Sequence, residues 1–226
     1  MRKCVKQALE TEYSISMYKK KPLFDFIKRF FDIILSLTAI LLLSWLFIIL
    51  AILVKCSSKG PVFYGHSRVG KNGKMFKVLK FRSMICDNRP LEEVFTPEQM
   101  EEWKRDFKVV NDPRVTKIGK FLRKTSLDEL PQLFNIFIGT MSFVGTRPIT
   151  RRELTENFTE EEQKILTSGK PGLTGYWQVY GRGQAEYETG ERQKLELEYF
   201  YRRGLFFDFK LLFLTIPAVL KHKGAK

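Results

Sequence analysis

Two adjacent carboxylic acids, Asp128 and Glu129, lie in the segment richest in groups that could do chemistry, RKTSLDELPQLFN from Arg123 to Asn135. An ionised carboxylate can act as a nucleophile. Two neighbouring acids would repel a diphosphate unless a cation intervened, and Mg²⁺ is the usual partner of carboxylate and phosphate oxygens. Arg123 precedes the pair by about one helical turn and could clamp a phosphate. One interpretation is therefore a phosphate-handling site, with Asp128 as nucleophile and both acids as Mg²⁺ ligands.

The same segment also has a purely structural interpretation. Ser126 to Glu129 fit the S-x-x-E pattern of a helix capping box, and on that basis the two acids only complement the helix dipole. Local sequence alone favours the cap over catalysis. The two interpretations are compatible, because the first turn of a helix also presents free backbone N–H groups to phosphate oxygens.

Four further basic residues could contact a phosphorylated substrate. Arg147 lies in GTRP and Arg182 in GRG, both loops flanked by glycine, while Lys80 and Arg82 lie in KFRSM after a predicted strand. For each of them a solvated basic side chain is an equal alternative.

The charge balance indicates an anionic partner. The 226 residues include 39 Lys and Arg against 25 Asp and Glu, a formal net charge of +14. Nucleic acid, anionic lipid and a phosphorylated substrate all fit such a surplus. The basic residues are spread along the chain and no nucleic-acid recognition module is apparent, so we expect no nucleic acid partner.

A long uncharged run indicates a membrane element. No charged residue occurs between Asp32 and Lys55, and the stretch Ile33 to Val54 would reach roughly 33 Å as a helix. Both flanks are strongly basic, and positive charge favours the cytoplasmic side. A re-entrant hairpin bent near Ser44 keeps both flanks on that side, although the run contains neither Pro nor Gly.

The remaining pattern predicts an α/β fold that is mostly α, with a small β-hairpin. Strands are predicted at 62–68 and 75–81 around an Asn72-Gly73 turn, and helices over 116–138 with an interruption at 125–126. Other helices are predicted at 159–167, 186–201 and 205–220, the last lying in the membrane interface. We expect an N-terminal tail at 1–22, a membrane anchor at 23–56 and one catalytic domain at 57–226.

The segment DPRVTKIGKFLRKTSLDELPQLFNIFIGTMSFVGTRP, from Asp112 to Pro148, resembles the bacterial sugar transferases, the monotopic phosphoglycosyl transferases. KRFFD before the uncharged run, RVGKNGKMFKVLKFRSM after it, and KPGLTGYWQVYGRG resemble further segments of that family. The resemblance covers roughly residues 25–220. One departure concerns the anchor, because Ser44 is followed by Trp45 where the family typically has a Ser-Pro pair.

The resemblance implies a two-step reaction at the cytoplasmic face of the bacterial inner membrane. Asp128 would take the sugar phosphate from a UDP-sugar and expel UMP, and undecaprenyl phosphate would then accept it. Glu129 would help to bind Mg²⁺, and anionic membrane lipids are expected partners, with a homodimer left open. Two alternatives are a non-catalytic membrane adaptor that kept the fold and a phosphohydrolase that uses water as the acceptor.

Overall fold

The computed structural model describes residues 21–86, 89–106, 109–181 and 187–220. This part of the chain is mostly helical, with one antiparallel hairpin and one short parallel strand pair, which confirms the predicted fold class. The elements follow one another as α1 Pro22–Leu42, α2 Ser44–Ser57, β1 Phe63–Val69, β2 Met75–Phe81, α3 Leu91–Val94, α4 Pro97–Asp106, α5 Lys117–Thr125, α6 Gln132–Ile138, β3 Ser142–Val144, α7 Arg151–Asn157, α8 Glu160–Thr167, β4 Gly172–Thr174, α9 Tyr176–Tyr180, α10 Glu191–Arg202 and α11 Leu205–Leu220.

The described residues divide into two compact units. The first unit contains residues 21–39, 66–78 and 132–220, and the second contains residues 40–65 and 79–131. The predicted division into tail, anchor and catalytic domain remains a prediction, and most of the predicted tail lies outside the described residues.

The uncharged run forms α1 and α2. Among the described residues no single helix is long and apolar enough to cross a membrane, but these two helices satisfy the criterion together and are bent by 64°. The break falls at Leu43, whose φ of −95° and ψ of 7° leave the α-helical region. The predicted bend near Ser44 is therefore confirmed to within one residue, while re-entry into a membrane remains a prediction.

The predicted hairpin is confirmed, and its turn follows from two local residues. Asn72 has a φ of 57° and Gly73 a φ of 72°, so both central positions are left-handed, as a type I′ turn requires. The Lys74 N–H closes the turn on the Lys71 carbonyl at 3.3 Å.

The first unit is built around the parallel pair of β3 and β4, in which Ser142 pairs with Gly172 and Val144 with Thr174. Glycine lets the two backbones approach closely, because a Cβ on Gly172 would lie 2.1 Å from the Gly145 nitrogen. Helices α7, α8, α10 and α11 contribute to the buried apolar cluster of this unit, whose members include Val144, Leu154, Ile165, Leu197, Phe200 and Leu211.

Arg82 joins the end of α2 to the end of β2 within the second unit. Its guanidinium donates to the carbonyl oxygens of Val54 at 3.2 Å, Ser58 at 2.7 Å and Lys59 at 3.1 Å. These carbonyls at and beyond the helix C-terminus have few intrahelical donors, so a buried cation satisfies them. The guanidinium is engaged by backbone oxygens here, and its predicted contact with substrate remains a prediction.

The segment after β2 packs directly against α5. The Thr116 hydroxyl accepts from the Gly119 N–H at 2.8 Å and begins the helix. The Thr116 N–H in turn donates to the Ser83 carbonyl at 3.1 Å. A Cβ on Gly119 would lie 1.9 Å from the same Ser83 oxygen, so only glycine fits this approach. The backbone crossing holds the first turn of α5 against the segment after β2, and the two acids follow the other end of this helix.

Replacing Gly119 by alanine should destabilise the protein by roughly 2 kcal/mol or more, because the new methyl group meets a backbone atom that cannot rotate away. In an unconstrained helix the same change would stabilise by roughly 0.5–1 kcal/mol, so the two expectations differ in sign. Denaturant unfolding followed by circular dichroism measures the difference. Lys120→Ala, at an exposed position of the same helix, is the control and should change stability by no more than about 0.5 kcal/mol.

Candidate active site

Asp128 and Glu129 lie in a single 3₁₀ turn, Leu127–Glu129, between α5 and α6. Ser126 adopts a φ of 57°, and its N–H donates to the carbonyls of Leu122 and Arg123, so it ends α5. Its hydroxyl caps no helix, and α6 begins only at Gln132. The predicted capping box is therefore wrong, and so is the expectation that the two acids open an α-helix. The residue that would have started the second helix is used to close the first one.

Lys80 brings the two acids to one point. Its ammonium nitrogen lies 2.6 Å from Glu129 Oε1 and 3.5 Å from Asp128 Oδ2. The lysine comes from the end of β2, 49 residues before Glu129. The sequence predicted Lys80 as a substrate contact, which remains a prediction; its observed partners are the acids themselves.

The two acids differ in their exposure to water. Asp128 is buried, with 8% of its surface exposed, whereas 36% of the Glu129 side chain is exposed. Burial raises the pKa of Asp128, and the neighbouring Glu129 charge raises it further, while Lys80 and Arg123 act in the opposite direction. The cations therefore favour the ionised form that a nucleophile needs, against the effect of burial.

Arg123 is held at the site by a residue that sequence reasoning missed. Its Nε donates to the Ser83 hydroxyl at 2.9 Å, and its positive charge acts on both Asp128 and Asp112. The side chain is exposed, so the rest of the guanidinium can meet a ligand. Ser83 follows Arg82 in KFRSM, and its position directly after a strand was the only signal for it.

The donor set fits the predicted Mg²⁺. Within the described residues, no group of three or more His, Cys, Asp or Glu side chains could enclose a metal ion. Mg²⁺ does not need such a cage, since it typically binds one or two carboxylates together with substrate phosphates and water. Asp128 and Glu129 already share one cation, the Lys80 ammonium. These two carboxylates are the residues that would hold a divalent ion.

Arg147 belongs to the first unit, whereas the acid pair, Lys80, Arg82 and Arg123 belong to the second. The Arg147 guanidinium lies over the Trp177 ring at 5.3 Å, and its backbone N–H donates to Glu196 at 3.1 Å. Burial raises the pKa of Glu196 to about 7, so this backbone contact is made by a carboxyl that titrates near neutrality. The exposed Arg147 remains a predicted substrate contact. Arg182 lies outside the described residues.

Comparison with known proteins gives similarity along nearly the whole chain. The Rhizobium meliloti exopolysaccharide production protein ExoY is 45% identical over 208 residues, which cover 91% of this chain and 90% of that protein. A UDP-galactose-lipid carrier transferase of Erwinia amylovora is 46% identical over 203 residues, covering 88% of this chain and 42% of that protein. An undecaprenyl-phosphate galactose phosphotransferase of Salmonella typhimurium is 45% identical over 203 residues, with the same coverage of 88% and 42%. The chain thus spans about two fifths of these two longer relatives.

The family profile described as bacterial sugar transferase matches residues 23–222, which include α1, the hairpin, the acid pair and α11. This match confirms the resemblance drawn from the sequence motifs, and the chain belongs to the bacterial sugar transferase family.

Proposed function

We propose that this protein is a phosphoglycosyl transferase that moves a sugar 1-phosphate from a UDP-sugar to undecaprenyl phosphate, in the synthesis of an exopolysaccharide or a capsule. The observation that carries the proposal is the convergence of Asp128 and Glu129 on one cation, with a second cation, Arg123, acting on Asp128. Family membership and the printed names of the relatives support the substrate classes.

In the proposed first step an Asp128 carboxylate oxygen attacks the phosphorus that carries the sugar. A new P–O bond forms to Asp128, the P–O bond to the bridging diphosphate oxygen breaks, and UMP leaves with that electron pair. An ionised carboxylate needs no proton removed before it attacks. Burial of Asp128 makes it poorly hydrated, and the nearby cations favour its charged form against the effect of burial.

In the proposed second step a phosphate oxygen of undecaprenyl phosphate attacks the same phosphorus. The bond to Asp128 breaks, the carboxylate is restored, and the product is an undecaprenyl diphosphate sugar. Arg123 and Lys80 contribute positive charge where negative charge gathers on the phosphoryl oxygens. Mg²⁺, held by Asp128 and Glu129, would supply further charge neutralisation.

The bent helix pair supports placing the reaction at a membrane surface. Basic residues flank α1 and α2 on both sides, with Lys28 and Arg29 before the uncharged run and Lys55 and Lys59 after it. Keeping both flanks in the cytoplasm favours a helix pair that enters one leaflet and returns. The acceptor phosphate of a polyprenyl lipid would then be reached from the cytoplasmic face.

Asp128→Asn should abolish covalent labelling by a UDP-sugar carrying ³²P in the sugar-linked phosphate, and should lower UMP release by roughly a thousandfold or more, because an amide cannot replace the nucleophile. Glu129→Gln should keep the label but raise the Mg²⁺ concentration needed by at least about tenfold. Glu161→Gln, an exposed change on α8, is the control and should behave like wild type. Near-normal transfer by Asp128→Asn would eliminate the covalent mechanism, and release of free sugar phosphate with acceptor present would favour hydrolysis.

Activity should fall at low pH as Asp128 is protonated, and the acid limb should lie above the ordinary aspartate pKa of 3.8, because burial raises the pKa of this carboxyl. Lys80→Met removes a nearby positive charge, so it should move the acid limb upward by about one pH unit. Glu129→Gln removes a negative charge, so at saturating Mg²⁺ it should move the limb downward. Lys120→Met is the charge control. Shifts in the same direction for Lys80→Met and Glu129→Gln would contradict this electrostatic account.

Cysteines introduced singly at Leu23 and at Lys59, in a chain whose native cysteines are replaced by serine, should both react with a membrane-impermeant maleimide in inverted inner-membrane vesicles. Neither should react in intact cells, because a re-entrant pair leaves both ends in the cytoplasm. Both positions are exposed in the structure, so accessibility reports the side of the membrane. Labelling of the two positions from opposite sides would mean that the helix pair crosses the bilayer.

A further inference from the structure

A second cationic site lies in the first unit, whereas the acid pair and Lys80 belong to the second unit. It is an open cleft beside the start of α1. Its charged lining comprises five basic and two acidic side chains, and the basic ones come from α1, the hairpin turn, the segment before β4 and the end of α10. The basic residues are Lys28, Arg29, Lys71, Lys170 and Arg203, and the acidic residues are Asp25 and Asp32.

Most of these charges already have partners. Lys28 forms an ion pair with Asp208, and Arg203 donates to Asp25 at 3.2 Å. Arg29 donates to the carbonyls of Ile136 and Phe137 at 2.6 Å and 2.7 Å, uncharged oxygens at the C-terminus of α6.

Asp32 is also engaged, since it accepts from the Ser142 hydroxyl at 3.0 Å and from the Phe143 N–H at 3.1 Å. The acids that line the cleft are therefore committed to other groups, and the cleft keeps a positive surplus.

Two of the lining cations have no partner among the described residues, the exposed Lys71 and the half-buried Lys170, and the half-buried Lys170 is the more costly to leave unpaired. Among the described residues, none forms a hydrogen bond or an ion pair with its ammonium group, although the side chain is half-buried. Burial lowers the pKa of Lys170, and the charges of Arg29, Lys71 and Lys28 lower it further, while Asp32 acts in the opposite direction. A half-buried ammonium surrounded by like charge is an unfavourable arrangement unless an anion joins it.

Gly139 leaves the space where such an anion would fit. A Cβ on Gly139 would lie 3.0 Å from Arg29 Nη2 and 3.2 Å from Lys170 Nζ, so the two cationic nitrogens are within about 6 Å of each other. That separation allows the oxygens of one phosphate to accept from both nitrogens. The absence of a side chain at Gly139, whose φ is +92°, keeps the point between them open.

Helix α1, which lines the cleft, and helix α11, which packs against α1, carry exposed apolar side chains. Phe26 and Phe30 of α1 are 74% and 56% exposed, and Phe206 and Phe213 of α11 are 93% and 71% exposed. The two helices pack together through Phe31 and Phe209, whose ring centroids lie 6.1 Å apart. Helices with exposed aromatic residues next to basic ones are typical of membrane-interface elements. An anion that binds beside such helices is therefore expected to be the phosphate of a lipid.

We propose that this cleft binds the phosphate of an acidic phospholipid, with Lys170 and Arg29 as its ligands and with the acyl chains lying along the apolar surface of α1 and α11. The site is independent of the acid pair, and it would fix the depth and orientation of the first unit at the membrane. It adds a specific lipid contact to the general attraction of a basic protein for an anionic surface.

The test is a lipid titration of the detergent-solubilised full chain, without any UDP-sugar, followed by thermal unfolding. Short-chain phosphatidylglycerol should raise the melting temperature of the wild type, because a ligand that binds only the folded state stabilises it. Lys170→Gln should need at least about tenfold more of this lipid for the same rise, since one charge-assisted contact is lost. Without lipid, Lys170→Gln should melt no lower than wild type, because it removes like-charge repulsion.

Lys164→Gln is the matched control, an exposed lysine in the same unit with the same change in charge, and it should titrate like wild type. Phosphatidylcholine of the same chain length should give no Lys170-dependent rise. Equal responses from Lys170→Gln and Lys164→Gln would overturn the proposal. So would a Lys170-dependent rise with inorganic phosphate alone, or with undecaprenyl phosphate but not phosphatidylglycerol. None of these outcomes bears on the labelling of Asp128.

Discussion

The site depends on keeping one carboxylate charged where water is largely excluded. Asp128 is buried next to a second acid, and both conditions favour its neutral form. Lys80 opposes both effects, because a single ammonium contacts both acids. The lysine side chain is itself one third exposed and has a flexible four-carbon stem. In the proposed reaction it would therefore have the mobility to turn aside for a divalent cation and a diphosphate.

The backbone around β2 makes that contact possible. Lys80 lies at the end of the strand, Arg82 follows it and satisfies carbonyls at the end of α2, and the Ser83 carbonyl meets Gly119 without any intervening side chain. Residues 80–83 therefore contact the end of α2, the two acids and the helix α5 that precedes them. A shift of any one of these contacts would move the ammonium relative to the acids, and electrostatic stabilisation of this kind falls quickly with distance.

The sequence predicted the features that local chemistry decides. Asn72 and Gly73 form the expected turn because both residues tolerate left-handed dihedrals. Two capping boxes that we did not predict are present, at Thr150 with Glu153 and at Thr159 with Glu162. The same pattern failed at Ser126 and Glu129, where the preceding helix α5 extends to Thr125 and uses the Ser126 N–H to close its last turn.

Contacts between residues far apart in the chain could not be predicted from the local sequence. The acids were recognised as a pair, but nothing in the segment around them indicates that Lys80 lies between their oxygens, since 49 residues separate it from Glu129. Arg82 was grouped with Lys80 as a phosphate contact, yet their environments differ: one meets carboxylates and the other meets backbone carbonyls. Residue type and spacing identified the basic groups; only the tertiary structure separates those that neutralise acids from those that complete a helix end.

Two of the lysines that contribute to the net charge of +14 differ in whether an acid neutralises them. Lys80 is a cation paired with two acids, and in the proposed reaction a divalent cation would take over this pairing. Lys170 forms no hydrogen bond or ion pair with the described residues, and its ammonium lies near the Arg29 guanidinium. An anion from outside the protein would relieve the repulsion between them. Helix α1, which carries Arg29, and helix α11, which packs against it, expose aromatic residues. The proposed anion is therefore one that carries apolar chains, which can lie on this surface. Charge surplus and apolar exposure on the same elements therefore select a lipid phosphate over a soluble one.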